Sequence, residues 1–139
     1  MAGLSPKLPV RRDTTYGYAL TRTYTEMVLQ NFKNLVLTNP GERMMDPDFG
    51  VGLKRYLFET ESQNLYGRIA SDIEKQARRY MPFIRIDNVV FYGPDGAWST
   101  INGFFPREDP YTAEQHKVQI KIMLTIKPLS RSVTLNMDL

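Results

Sequence analysis

The 139-residue chain contains no cysteine and a single histidine, His116. The absence of cysteine excludes disulfide bonds, thiolate metal sites and thiol nucleophiles, and it is typical of proteins that fold in a reducing cytoplasm. One histidine cannot form a site of several histidine ligands. Because no partner motif accompanies it, His116 is interpreted as a surface or strand-edge residue rather than a catalytic base. We therefore expect neither a metal nor a cofactor.

Long apolar runs and strong charge are also missing. No run approaches the roughly 20 residues that a membrane-spanning helix needs, and residues 1–7 lack the apolar core of a signal peptide. The 18 basic and 15 acidic residues give a net charge of +3 and are spread along the chain, which does not favour nucleic-acid binding. P-loop, G-x-S-x-G, H-E-x-x-H and EF-hand patterns are absent. We expect no membrane and no nucleic-acid partner.

The chain has the length of one domain, and its hydrophobic content of 42% is ordinary for a globular protein. Residues 1–23 contain prolines and threonines with little periodicity, so they are predicted to form an extended N-terminal arm that becomes ordered only on contact with a partner. Residues 24–139 are predicted to form one small α+β domain. In it, two main helices and a short helix pack on a small mixed or antiparallel sheet that ends in a β-hairpin.

Apolar side chains at helical spacing predict the two main helices. The first helix begins near Thr25 and ends at Asn39-Pro40-Gly41, because proline disfavours helical geometry in the residue before it. The second helix runs from about Asn64 to Tyr80, and Pro82 follows it.

A short third helix is predicted between the main helices. Asp48 is expected to cap it, and Leu53 and Leu57 lie one turn apart on it. Gly50 and Gly52 each weaken such a helix by about 1 kcal/mol relative to alanine. We therefore expect a brief helix that depends on packing.

Alternating apolar residues predict three strands. The first, Phe83–Tyr92, shifts phase at Asp87-Asn88, which indicates a bulge. The other two, Lys117–Lys127 and Arg131–Leu139, are joined by a turn of three residues and are predicted to form the C-terminal hairpin. The long connection Gly93–Gln115 predicts either a functional protrusion or a small extra hairpin.

The last strand can lie at a sheet edge, where another chain can pair with its free N–H and C=O groups. Its alternating apolar side chains would contribute about 6 to 12 kcal/mol in total if fully buried, before ordering costs. An ordinary internal core strand explains the same alternation equally well. These side chains are Val133, Leu135, Met137 and Leu139.

Three motifs follow one another in the middle of the chain: Asn39-Pro40-Gly41-Glu42-Arg43, then Pro47-Asp48-Phe49-Gly50, then the apolar segment Leu53–Glu59. In this order they resemble the wedge protein family of contractile-tail baseplates, which has relatives in type VI secretion baseplates. The resemblance covers about Thr25–Leu139 and is strongest from Thr38 to Glu59. It implies a structural subunit of a virion's tail baseplate, assembled in the host cytoplasm, with one copy in each wedge of a sixfold assembly.

The resemblance also implies partners. Family members initiate the tail sheath by offering strands to the first sheath ring, which assigns this role to the last strand of the chain. An E-P-R tripeptide of the family contacts other wedge subunits, and Met81-Pro82-Phe83 stands in its place here. Because only the proline matches, either Arg85 replaces the missing arginine or Met81 and Phe83 make an apolar contact. The tail tube or hub proteins are further expected neighbours.

The family was once described as a tail lysozyme, so peptidoglycan hydrolysis is the alternative function. Glycoside hydrolysis needs two carboxyl groups about 5 to 10 Å apart, one of them with a raised pKa. The nearby acidic residues each have a structural interpretation in a turn or a helix cap, so we predict no enzymatic activity. They are Glu42, Asp46, Asp48, Glu59 and Glu61.

Arg43 is a cation within an otherwise apolar motif. A guanidinium in such a position can bind several backbone carbonyls, so we expect Arg43 to hold its own turn together. The alternative is that Arg43 contacts a neighbouring subunit.

Overall fold

The computed structural model of the protein describes residues 3–59, 63–93, 96–105 and 119–138. As predicted, the fold is α+β, with two α-helices and short 3-10 helices packed on an antiparallel sheet. Within these ranges the helices in chain order are α1 (Tyr24–Leu37), the 3-10 helix Leu53–Phe58, α2 (Gln63–Tyr80) and the 3-10 helix Lys127–Leu129. The strands in chain order are β1 (Ser5–Pro6), β2 (Arg12–Asp13), β3 (Gly17–Tyr18), β4 (Leu20–Thr21), β5 (Ile84–Tyr92), β6 (Ala97–Ser99), β7 (Gly103–Phe105), β8 (Gln119–Ile126) and β9 (Arg131–Asp138).

Helix α1 forms where the apolar spacing predicts it. The hydroxyl of Thr23 accepts a hydrogen bond from the backbone N–H of Glu26 at 3.3 Å, so it caps the first turn. The apolar stripe is fully buried and includes Phe32, which packs in the centre of the core. The helix ends at Leu37, just before the turn that contains Pro40.

Helix α2 packs on the sheet through its apolar face, on which Ile69, Ile73 and Ala77 are buried. Beside this stripe, the ring of Tyr66 stacks on Phe91 of β5 with 4.9 Å between the ring centroids. Such aromatic pairs add to the apolar area that the layer buries. The helix-on-sheet layer is therefore the centre of the core.

The main sheet has five antiparallel strands in the order β7-β6-β5-β8-β9. The register between β5 and β8 shifts between Ile86 and Asn88, which confirms the predicted bulge and leaves Asp87 as the extra residue. The carboxylate of Asp87 accepts a hydrogen bond from Arg85 at 2.9 Å and another from Thr125. On one face of this sheet, side chains from β5 and β8 pack in the core.

The connection after β5 contains the extra hairpin that was one of the two predicted alternatives. Strands β6 and β7 pair from Ala97↔Phe105 to Ser99↔Gly103. Residues 106–118 lie outside the described part of the chain, as does His116 among them. The prediction of a functional protrusion in that part stays a prediction.

The C-terminal hairpin is confirmed over eight residue pairs, from Gln119↔Asp138 to Ile126↔Arg131. Ser130 closes it with a φ of 46°, a left-handed conformation that suits a tight turn. Among the described residues β9 pairs with β8 alone, so it is an edge strand.

Residues 3–23 form two short antiparallel ribbons, β1 with β4 and β2 with β3. Gln30 of α1 holds the first ribbon, because its side chain accepts a hydrogen bond from the N–H of Leu8 and donates one to the carbonyl of Pro6, both at 2.9 Å. The chain doubles back at Gly17, whose φ of 78° favours glycine. The described arm is thus paired with itself, which local periodicity did not predict. The domain boundary at residue 24 stays a prediction.

Candidate functional site

The motif between α1 and the first 3-10 helix is a turn closed by its own backbone. The N–H of Gly41 donates to the carbonyl of Pro47 at 2.8 Å, and the N–H of Phe49 donates to the carbonyl of Asp46 at 3.2 Å. We call residues 39–52 the motif turn. These bonds give it a defined shape before any partner binds.

The motif turn is also bonded to the end of α1. The N–H of Val51 donates to the carbonyl of Leu35 at 3.1 Å, and the N–H of Gly52 donates to the carbonyl of Thr38 at 2.8 Å. The last carbonyls of a helix have no partner within the helix, and here the motif turn supplies one. Gly50 crosses this end of α1 with a φ of 107°, and Gly52 has a φ of 70°, so both glycines form a backbone turn before the 3-10 helix begins.

Glu42 closes the start of the motif turn. Its carboxylate accepts hydrogen bonds from the backbone N–H of Asn39 at 2.9 Å and from the Asn39 side-chain amide at 2.7 Å. The backbone bond is the largest cause that lowers the pKa of Glu42, and the side-chain bond lowers it further. A general acid requires the opposite shift, so the geometry gives Glu42 a structural role.

Replacing Glu42 by glutamine is expected to make the stability of the protein less dependent on pH. Folding lowers the pKa of Glu42, so its ionised carboxylate stabilises the folded protein fully at pH values above the ordinary pKa of 4.5. This stabilisation is lost as the pH falls through the lowered pKa of the folded protein. Urea unfolding at pH 7 and pH 3 should show a smaller difference in Glu42→Gln than in the wild type. Asp138→Asn is the control, since this exposed carboxylate makes no ion pair with any described residue. An unchanged pH dependence in Glu42→Gln would contradict the role given to Glu42.

Arg43 binds an aromatic ring. Its guanidinium lies 3.9 Å from the ring centroid of Phe49, and Phe49 meets Tyr80 of α2 edge-on with 4.9 Å between the centroids. The predicted bonds from Arg43 to backbone carbonyls do not occur among the described residues, because the guanidinium stacks on the ring instead. Such stacking leaves the hydrogen-bond donors in the plane of the guanidinium free for another group.

Asp48 does not cap the short helix, and this prediction is wrong. That helix begins after Gly52, which has a left-handed backbone and no side-chain cap. The exposed carboxylate of Asp48 instead faces Arg79 of α2 at 3.5 Å. The backbone carbonyl of Asp48 accepts a hydrogen bond from the side-chain amide of Gln76 at 2.9 Å. The backbone N–H of Gly50 donates to the oxygen of the same side chain at 3.1 Å. Gln76 therefore clamps the motif turn onto α2.

Replacing Gln76 by alanine should lower the free energy of unfolding by about 1 to 3 kcal/mol, because the partly buried N–H of Gly50 and the exposed carbonyl of Asp48 both lose their partner. Urea denaturation at neutral pH measures this effect. Lys75→Ala is the matched control on the same helix. Lys75 is exposed and, within the described ranges, makes only a 3.7 Å ion pair with Asp72, so its loss should cost less than about 0.5 kcal/mol. Equal effects of the two changes would mean that the clamp adds nothing to stability.

Two adjacent methionines project from the motif turn. Met44 and Met45 are 95% and 97% exposed, and Phe58 at the end of the 3-10 helix is 93% exposed. None of these residues was predicted to be a contact residue. The two methionines are apolar side chains in a turn, outside any helical or strand periodicity, and this pattern could have indicated a binding surface. Methionine adapts to irregular apolar surfaces and is frequent at binding surfaces.

The residues predicted to contact other wedge subunits lie at the corner after α2. Met81 is only 7% exposed and belongs to the core, and Phe83 is half-buried against it. Pro82 is exposed. Arg85 is also exposed and is paired with Asp87 of the bulge at 2.9 Å. A partner can therefore reach Pro82 and Arg85 far more readily than Met81.

Strand β9 directs its apolar side chains inward. Met137 is 4% exposed in the core, and Val133 and Leu135 are half-buried against the core. Leu139 lies outside the described residues. The described residues that were predicted to bind the sheath protein thus pack on the protein's own core, and the free backbone edge of β9 is available to another strand.

A groove of about 390 Å³ lies between α2 and the sheet, with Trp98 in its lining. Its two carboxylates are Glu74, which is paired with Arg78, and Asp87, which is paired with Arg85. Across the described ranges, no cluster of three or more His, Cys, Asp or Glu side chains could hold a metal ion. In the same ranges no helix combines the length and apolarity of a membrane span.

Comparison with known proteins connects this geometry to a family. Residues 22–128 match the family model of the baseplate wedge protein gp25. No sequence among the curated proteins matches the chain.

Two solved structures share the fold. A candidate tail lysozyme from Geobacter sulfurreducens has a TM-score of 0.63 and 18% identity over 87% of this chain and 94% of its own. A chain of the sixfold-symmetrised anti-feeding prophage (AFP) baseplate has a TM-score of 0.62 and 24% identity over 86% of this chain and 82% of its own. These identities establish likeness of fold, and the family rests on the sequence match, which includes the motif turn and both helices. The chain belongs to the baseplate wedge protein gp25 family.

Proposed function

We propose that the protein is a structural subunit of a contractile-tail baseplate wedge, and that the outer edge of β9 receives a strand of the tail sheath protein. Membership of a baseplate wedge family supports the first part. The single observation that supports the second part is the position of β9, which pairs with β8 on one side and with no described strand on the other. The proposed location is the baseplate of a virion or a related tail, assembled in the host cytoplasm.

The edge of β9 is suited to backbone pairing. In an antiparallel ladder, alternate residues direct their N–H and C=O groups to the same side, so about four of the eight residues of β9 offer free groups outward. Each net hydrogen bond contributes about 0.5 to 1.5 kcal/mol. Because the apolar side chains already face the protein's own core, pairing of the backbone would supply most of the affinity for a sheath strand.

Other wedge subunits are proposed to contact the exposed tip of the motif turn and the corner after α2. The tip offers Met44 and Met45 as apolar side chains, next to Arg43 with free donors. The corner offers Pro82 and Arg85. We further propose one copy in each wedge of a sixfold baseplate, with the tail tube or hub proteins as further neighbours.

The sheath role is tested by proline variants of β9 in cells that assemble the tail. Of two neighbouring residues in an edge strand, one directs its N–H outward and the other bonds to the inner strand. We compare Thr134→Pro with Val133→Pro. One of these changes removes an N–H that bonds to β8, and the other removes an N–H that points outward. The variant that keeps the wild-type melting temperature is the one that has lost only the outward N–H. In that variant we expect baseplates with tubes but without sheath, as judged by electron microscopy.

Deletion of Arg131–Leu139 is a second variant and should give the same sheathless particles. Because the deletion also removes Met137 from the core, its folding must be checked by circular dichroism. Full-length sheath on tails that carry the stable proline variant would refute sheath recruitment by β9. Loss of the whole baseplate in that variant would show instead that β9 holds the wedge together.

The enzymatic alternative is tested separately on purified cell walls. We expect no lysis by the wild-type protein, since Glu42 is held as a carboxylate by Asn39 and Asp48 faces Arg79. Wall lysis that is lost in Glu42→Gln and in Asp48→Asn would establish a hydrolase and refute a purely structural role.

A further inference from the structure

Strand β9 lacks the devices with which edge strands usually prevent pairing. No proline, lysine or bulge interrupts its eight residues, and its register with β8 is continuous. Its charged residues, Arg131 and Asp138, stand at the two ends. The centre of the strand is uncharged, so two copies can approach each other there without repulsion between like charges.

A second copy of the same edge fits this strand. If a twofold axis passes through Thr134, perpendicular to the sheet, the two strands run antiparallel and Thr134 lies opposite Thr134 of the second copy. The same axis places Val133 opposite Leu135 and Ser132 opposite Asn136. Every pair then joins side chains on the same face, as an antiparallel ladder requires.

This register also matches the remaining apolar surface. Val133 and Leu135 are half-buried in the single chain, whereas Met137 is already buried. With the axis at Thr134, Val133 of each copy lies opposite Leu135 of the other copy, so the half-buried side chains meet where the two strands pair. On the outer face this register joins threonine to threonine, which is a favourable cross-strand pair, and it places the polar side chains of serine and asparagine opposite each other.

We propose that the free protein forms a twofold dimer through antiparallel pairing of β9 with β9 of a second copy, centred on Thr134. The dimer joins two five-stranded sheets into one continuous sheet and covers the edge until another strand displaces the second copy. One strand pair is a small interface, below about 1,200 Å² in total, so the association is weak and exchangeable. This proposal does not depend on what the edge binds in an assembled tail.

Sedimentation equilibrium between about 10 µM and 1 mM tests the dimer, since weak transient complexes dissociate in about this range. The wild type should shift from monomer to dimer as its concentration rises. Thr134→Lys and Thr134→Glu should each be monomeric, because facing Cβ atoms at the axis are only about 5 Å apart and like charges repel. An equimolar mixture of the two variants should recover the dimer. Asn64→Lys and Asn64→Glu on the exposed face of α2 are matched controls and should behave as the wild type.

Cross-linking tests the register without changing charge. Because the chain has no cysteine, Thr134→Cys introduces a single thiol. Two thiols at the axis meet the distance requirement of a disulfide, so mild oxidation should give a covalent dimer, whereas Asn64→Cys should remain a monomer. Melting curves confirm that the variants fold. A wild type that stays monomeric throughout the concentration range, or a dimer unaffected by both charges at Thr134, would overturn the proposal.

Discussion

Replacing Gly50 by alanine is expected to lower the free energy of unfolding by about 3 kcal/mol. Two effects add up at this position. The φ of 107° is strained for any residue with a side chain, and a Cβ atom would lie 2.2 Å from the carbonyl oxygen of Thr38. That oxygen belongs to the backbone and accepts the hydrogen bond from Gly52, so it cannot move away without breaking the contact between the motif turn and α1.

Gly41→Ala provides the control for Gly50→Ala within the same motif turn. Gly41 also has a positive φ, 91°, but no atom lies within 4 Å of the added Cβ. Only the backbone strain of about 1 to 2 kcal/mol remains, so the loss should be clearly smaller. Thermal and urea unfolding of the two variants measure the difference. Equal losses would show that close packing against α1 does not explain the glycine at position 50.

Replacing Met81 by alanine is expected to cost about 2 to 4 kcal/mol, because the side chain is 7% exposed in the core and its removal leaves a cavity. The resemblance offered an apolar contact of Met81 and Phe83 with other wedge subunits as the alternative to a contact through Arg85. In the structure α2 ends at Tyr80. The side chain of the next residue, Met81, packs in the core instead of projecting from the corner. We therefore expect the variant to fail through loss of stability, as measured by urea denaturation.

Arg85→Ala separates stability from contact at the same corner. Arg85 is exposed and, among the described residues, pairs only with Asp87, so its removal should change stability by less than about 0.5 kcal/mol. If Arg85 replaces the missing charge of the family tripeptide, this variant should fold normally and bind other wedge subunits more weakly. A stable Met81→Ala protein with impaired wedge binding would contradict the core assignment of Met81.

The main elements of the fold were predictable because the spacing of apolar residues in each element shows which of its faces is buried. The stripe on α1 that includes Phe32 has helical spacing, and the alternation from Ile120 to Ile126 in β8 has strand spacing. Even the bulge at Asp87 was predicted, since an extra residue inverts the alternation. Periodicity reports burial directly, so these features required no knowledge of distant contacts.

The motif turn was only partly predictable. Glu42 bonds to Asn39, three residues away, and a short-range contact of this kind follows from turn chemistry. The clamp by Gln76 joins groups 26 and 28 residues apart, and nothing in the local sequence identifies that partner. Arg43 could have bonded to carbonyls or stacked on a ring, and the position of Phe49 against α2 decided the outcome.

By itself, the sequence determined the family, the two main helices, the strands β5, β8 and β9, and the faces that they bury, because motif order and periodicity are local properties of the chain. Only the tertiary structure decided that β9 stands at the edge of the sheet, that Met81 belongs to the core and that Asp48 serves α2 rather than a helix cap. These outcomes depend on which distant segments pack together. Side chains of the same kind can meet solvent, a partner or the core, and only the packing of the whole chain selects among them.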